Sequence, residues 1–269
     1  MAGDDGGAGM DWRTDFDEVT AATGRLVTTL RGLADADMRA PSALPGWSRG
    51  HLATHIARNA DSLWNLLEWA RTGTEIAQYP SPAARNADIE SGAGRPAAAL
   101  ADDVEESAAR LAGQVRALPE DAWHAPVQAL AGWSHPAWFT VYRRWQEVEA
   151  HHVDLAAGHR VADWSGPYVR WALDDTLAGL TVLPGDKLGE LAGARVAATD
   201  LDLAATFDHA PGGPEVTGPA HLLLGWLSGR ADGTDLAVHP DGLAVRPDGP
   251  LPAPPPWPHP PAPGRLTLG

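Results

Sequence analysis

Apolar residues recur at three- and four-residue intervals through four separate runs in the first part of this chain, and that spacing calls for packed helices. From Trp12 to about Ala36 the run is Phe16, Val19, Leu26, Val27, Leu30 and Leu33. Ser48 is placed to cap a second helix, which carries Leu52, Ile56, Leu63, Leu66 and Leu67 to about Arg71, with Gly73 as its stop. Pro96 suits the first turn of a third helix reaching about Leu118. A fourth is expected from near Pro136 through Trp145 and Val148 to Leu155, ending at Gly158. Between the second and third helices, residues 73–95 read as a long loop, and a loop of that length in a compact domain is usually functional. Four such helices predict a four-helix bundle, whose sites are built from side chains on facing helices.

After about residue 160 the pattern changes. GPYVRWALDDTLAGL reads as one more helix, ARVAAT and LDLAATFD as short strands, and GPAHLLLGWLSGRA as a helix closed by Gly229 or Arg230. A strand LAVHP follows, and the proline-rich LPAPPPWPHPPAPG is expected to be extended and without a core. The expected organisation is a disordered tail over 1–11, a helical bundle over 12–160, and a smaller α+β domain with a proline-rich tail over 161–269. The fold class is therefore α followed by α+β.

Twenty Lys and Arg against 35 Asp and Glu leave a net charge of −15, which argues against a nucleic-acid partner. Lys187 is the only lysine, so arginine must supply nearly all positive charge. No apolar run reaches the roughly 18 residues of a membrane span. The acidic, small-residue N-terminus lacks the layout of a signal peptide, and a cytoplasmic monomer acting on small molecules is expected. There is no cysteine, which excludes disulfides, thiolate metal ligands and a protein-borne thiol nucleophile. Any thiol chemistry must use a thiol cosubstrate. Among the 12 tryptophans, Trp64, Trp69, Trp138 and Trp145 fall on bundle helices and are expected in the core, some beside a pocket.

Two phrases carry the candidate chemistry. GHLATHIARNAD places His51 and His55 four apart, and RRWQEVEAHHVDL places Glu147 and His151 four apart. Residues at i and i+4 share one helix face. On antiparallel neighbours, His55, Glu147 and His151 would converge as two imidazoles and a carboxylate, a set that leaves metal positions open and suits zinc or iron(II). The plain alternative is a solvated helix face, with one histidine packed and the other exposed. Against it, His55 and His151 stand among apolar residues on faces that must be buried, and buried polar groups need partners. His51 is a reserve ligand. His152 points about 100° from His151 and reads as supporting or exposed, while Asp154 either orients an imidazole or is a surface acid.

The segment LPGWSRGHLATHIARNADSLWNLLEWARTGTEIAQYPSPAARNADIE, with RRWQEVEAHHVDLAAG and the later GPAHLLLGWLSGRADG, resembles the mycothiol-dependent maleylpyruvate isomerases of the DinB-like metal-binding superfamily. The resemblance implies a DinB-like four-helix bundle and a smaller sterol-carrier-protein-like C-terminal α/β domain. It implies that His55, Glu147 and His151 bind a divalent metal, zinc, and that mycothiol is the thiol cosubstrate. It makes Arg230 a catalytic residue reaching toward the active site, and places Tyr79, Arg85 and Asn86 near the substrate. The plain readings are that Arg230 caps a helix and that Arg85 anchors its loop. The implied activity is cis–trans isomerisation of maleylpyruvate to fumarylpyruvate. A mycothiol S-transferase is the nearest rival. A non-catalytic metal-dependent binding module, its coordination closed by His51, and a non-haem iron oxygenase are further ones.

Overall fold

The computed structural model describes residues 11–207, 212–239, 251–259 and 261–266. Most of the expected N-terminal tail, residues 1–10, lies outside the described residues. The chain divides into two compact units, the first ending at His159 and the second beginning at Arg160.

The first unit is built on α1 (Trp12–Arg31), α3 (Arg49–Thr72), α5 (Ala97–Ala117) and α6 (Phe139–Asp154), with short α2 (Asp35–Arg39) and α4 (Pro82–Gly92) between them. Both α1 and α3 pack against α5 and α6. The apolar stripes meet in one core, where Leu26, Leu30, Leu52, Ile56, Leu63, Leu66, Val104 and Val148 are wholly buried. Each such side chain contributes about 1.5–3 kcal/mol relative to exposure. Of the four bundle tryptophans, Trp138 and Trp145 join this core, whereas Trp64 and Trp69 are only half-buried.

Local signals set the helix ends. The Ser48 side chain accepts from the His51 backbone N–H, and Gly73 closes α3 at φ 70, a left-handed turn that glycine adopts at little cost. Two expectations need correction. Residues 73–95 are not one long loop, because Ser81 caps α4 and Pro82 occupies its first turn. Only Ile89 of α4 is buried, so the helix shows no apolar periodicity to read. The fourth bundle helix begins at Phe139 rather than Pro136, which instead pairs with Pro126 in the hairpin of β1 (Pro126–Gln128) and β2 (Ser134–Pro136).

Contacts at one end join α3 to its neighbours. Gly50 lies so close to α4's end that an added Cβ would sit 2.2 Å from the Ala93 carbonyl oxygen. Arg49 donates from Nε to the Leu155 carbonyl at 2.6 Å and from Nη2 to that of Ala156 at 2.7 Å. Ala156 adopts φ 50, a left-handed conformation that costs a non-glycine residue roughly 1–2 kcal/mol. The arginine thus satisfies carbonyls left over where α6 ends.

The second unit combines α7 (Gly166–Thr181), α8 (Gly185–Leu188) and α9 (Ala220–Leu227) with β3 (Arg195–Ala198), β4 (Ala204–Thr206), β5 (Glu215–Gly218) and β6 (Ala237–His239). The strands form one mixed sheet in the order β4-β3-β5-β6, with β3 and β5 parallel and Val196 opposite Val216. Strand β5, in the Gly- and Pro-flanked EVTG, was not foreseen from the sequence pattern. α9 packs on α7 and on β3 and β5, and Gly229 at φ 73 follows its end as expected. The proline-rich segment is not coreless. Pro252 and Ala262 are buried, the Ala253 N–H donates to Glu190 Oε2 at 2.7 Å, and the Trp257 indole N–H lies 3.5 Å from Thr176 Oγ1. Apolar side chains interspersed among the prolines supply what composition alone conceals. No helix among the described residues is long and apolar enough to cross a membrane.

Candidate metal centre

α3 and α6 pack side by side, and their polar i, i+4 faces meet. His55 Nε2 lies 3.0 Å from Glu147 Oε2 and 3.2 Å from His151 Nε2, and His151 Nε2 lies 3.1 Å from Glu147 Oε2. Three corners of a tetrahedral zinc shell with bonds of about 2.0–2.1 Å stand about 3.3–3.4 Å apart. The triangle therefore needs little adjustment to hold an ion. Among the described residues this is the one group of three or more such side chains that could do so. His55 is 5% exposed, which keeps competing water from its ring.

The electrostatics fit a cation. Burial opposes charge on Glu147, yet hydrogen bonds from His151 and His55 outweigh it and hold the carboxyl well below its usual range. Burial lowers the His55 pKa. On His151 burial acts the same way, but the Asp154 and Glu147 carboxylates overcome it and raise the pKa. His151 donates from Nδ1 to Asp154 Oδ2 at 2.8 Å, so an ion at Nε2 would displace only the proton shared with Glu147 and take the lone pair beneath it. Of the two readings of Asp154, the orienting one matches this geometry, for the residue is 3% exposed. Asp154→Ala is expected to weaken zinc binding by about 10–100-fold, measured by competition with a chromogenic chelator. Unchanged affinity would reduce Asp154 to a helix-end residue.

Arg85, on α4, donates from Nη2 to Nδ1 of His55 at 3.1 Å, and its guanidinium lies about 6 Å from the Trp47 and Tyr79 rings. A neutral imidazole that accepts at Nδ1 carries its hydrogen on Nε2. An ion on Nε2 requires the lone pair there, so metal and the Arg85–His55 hydrogen bond exclude one another. Tyr79 is buried, which raises its hydroxyl pKa. Asn86 is exposed, and its Oδ1 accepts from Arg85 Nη1 at 3.1 Å.

Other expectations fare differently. His51 is not a reserve ligand: its Nδ1 engages Ser48 Oγ at 2.7 Å and its Nε2 faces Glu90 at 3.2 Å. His152 is not exposed but 2% accessible, stacked on His159 with centroids 3.7 Å apart and 2.8 Å from Thr29 Oγ1. In the second unit, Arg230 donates from Nη1 to the Ser228 carbonyl at 3.0 Å and stacks 4.7 Å from the Trp257 ring centroid. Trp47, whose ring meets His55 edge-on at 5.5 Å, escaped the sequence reading. Its one signal was an aromatic residue immediately before the Ser48 cap.

Residues 19–156 match the family model described as the mycothiol maleylpyruvate isomerase N-terminal domain, which is half of the chain. The chain belongs to the mycothiol-dependent maleylpyruvate isomerase family. Two solved structures resemble it over both units of the chain. One is a mycothiol-dependent maleylpyruvate isomerase, at 29% identity and a TM-score of 0.78, covering 92% of this chain and 98% of that one. The other is a histidine-to-alanine mutant described under the same enzyme name, at 29% identity and a TM-score of 0.79 with the same coverage. No curated protein sequence matches. Membership in the mycothiol-dependent maleylpyruvate isomerase family accounts for the order of the parts, an N-terminal DinB-like helical domain followed by a C-terminal α/β domain.

Proposed function

We propose that this protein isomerises maleylpyruvate to fumarylpyruvate, with mycothiol as the thiol cosubstrate and a divalent metal, zinc, held by His55, Glu147 and His151. The observation that carries the reading is the convergence of those three side chains in a chain of this family that has no cysteine. A cis carbon–carbon double bond cannot rotate. Addition of the mycothiol thiolate forms a carbon–sulfur bond and moves the π electrons into an enolate. The former double bond, now single, turns. Return of the enolate electrons expels the thiolate and leaves the trans product, so the thiol is not consumed.

A bound divalent cation would supply positive charge that favours thiolate over thiol at neutral pH. The protein's own groups do the rest. Asp154 fixes the His151 ring through Nδ1, so that Nε2 would present its lone pair to a bound cation, and Glu147 stays ionised. With a cation on His55 Nε2, Arg85 would lose its acceptor and its guanidinium would be available to a substrate carboxylate, with Tyr79 beside it and Asn86 steadying it. Arg230 provides a second cation, which binds the keto-acid end and stabilises the enolate charge as it develops.

The test is an ultraviolet assay of maleylpyruvate with the zinc-loaded protein, with and without mycothiol. Isomerisation that requires mycothiol and leaves its concentration unchanged is the expected result. A stable mycothiol conjugate formed on another electrophile, with no isomerisation, would replace this reading by the S-transferase one.

A further inference from the structure

Arg144 lies on α6, one turn before Glu147, and is 2% exposed. Its Nη1 donates to the Ile56 carbonyl at 2.8 Å and to Asn59 Oδ1 at 2.9 Å, both on α3. Its Nη2 has no hydrogen-bond partner among the described residues. Both acceptors of the guanidinium are neutral groups; Glu147 and Asp61 act on it only through their field, and a buried cation without a directly bonded carboxylate has capacity for one. Burial pulls its pKa down to about 10, against the field of Glu147, so the group remains charged at neutral pH.

The same residue forms part of the wall of a cleft of about 470 Å³ lying along α1 and α5, within the usual range of a small-molecule site. Small residues open it. Gly24 sits in the middle of α1, where glycine costs roughly 0.5–1 kcal/mol relative to alanine. A Cβ there would meet nothing within 4 Å, so helix packing does not demand the glycine. Phe16, Val27 and Leu111 give the cleft apolar walls, and the Arg116 guanidinium stands 5.8 Å from the Phe16 ring. Arg31, also on the cleft, is engaged by Asp102 and Glu105 and offers an incoming anion less than Arg144 does.

We propose that this cleft binds a small amphiphilic monocarboxylate, with its carboxylate on Nη2 of Arg144 and its apolar body against Phe16, Val27 and Leu111. The pairing follows from the two halves of the site: an apolar trough alone takes any oily molecule, and the buried guanidinium selects one bearing a negative charge. Nη2 is buried behind the lining, so binding requires a side chain of the wall to rotate as the carboxylate seats.

Titration calorimetry of the full, zinc-loaded chain with octanoate and with octan-1-ol tests this. Octanoate is expected to bind at one site per chain, at least about tenfold more tightly than the neutral alcohol. Gly24→Phe should fill the trough and abolish octanoate binding while leaving the helical circular dichroism intact. Arg144→Met should erase the preference for octanoate. If that variant does not fold, having lost its bonds to α3, Gly24→Phe still decides the matter. Failure of octanoate to bind, equal affinity for the alcohol, or unchanged octanoate binding by Gly24→Phe each overturns the proposal.

Discussion

Replacing His55, Glu147 or His151 by alanine is expected to remove bound zinc and mycothiol-dependent isomerisation together. Each residue supplies one corner of a triangle whose edges run from 3.0 to 3.2 Å, and no fourth His, Cys, Asp or Glu among the described residues joins the set. Two corners do not make a selective site for an ion that ordinarily takes at least three protein ligands. Glu147→Ala should be the most damaging, because it also removes the negative charge that faces both imidazoles. Elemental analysis of the purified variants, with circular dichroism to verify folding, provides the readout. A folded variant that retains one zinc per chain and full turnover would refute the ligand assignment.

Arg230→Ala is expected to keep zinc and fold while turnover falls by about 10²–10³-fold, the usual cost of losing one group that stabilises developing negative charge. Arg230→Lys should recover only part of it, since an ammonium cannot reproduce the planar two-point grip of a guanidinium on a carboxylate. The relevant measurement is kcat at saturating mycothiol alongside metal content. Unchanged kinetics would leave Arg230 as a residue that closes α9, held by the Ser228 carbonyl and the Trp257 ring.

Much of the bundle was legible because helical spacing is a strong, local signal. The four long helices and the Ser48 cap emerge directly from it, as do the i, i+4 pairs that bring Glu147 and His151 to one face. What stayed hidden depends on contacts between distant segments. α4 buries only Ile89, so no periodic stripe announced it within the apparent loop, and Pro136 was read as a helix start because its pairing with Pro126 is a tertiary fact. From its angle on an ideal helix His152 reads as supporting or exposed, and its 2% accessibility removes the second alternative. The stacking of His159 covers it, and His159 comes from beyond the helix end. His51 and His55 are equivalent by spacing alone. What separates them is the helix cap that occupies His51. The proline-rich segment misled for a compositional reason: its prolines masked Trp257 and Leu251, which pack on the second unit.

The Arg49 contacts have a bearing on how the ion arrives. They moor the first turn of the helix bearing His55 to the chain leaving the helix that bears Glu147 and His151. The two donor-bearing rods are thus tied to each other by hydrogen bonds independent of the three donors. A cation would then settle between tethered rods, displacing the Arg85–His55 hydrogen bond rather than cross-linking a loose chain.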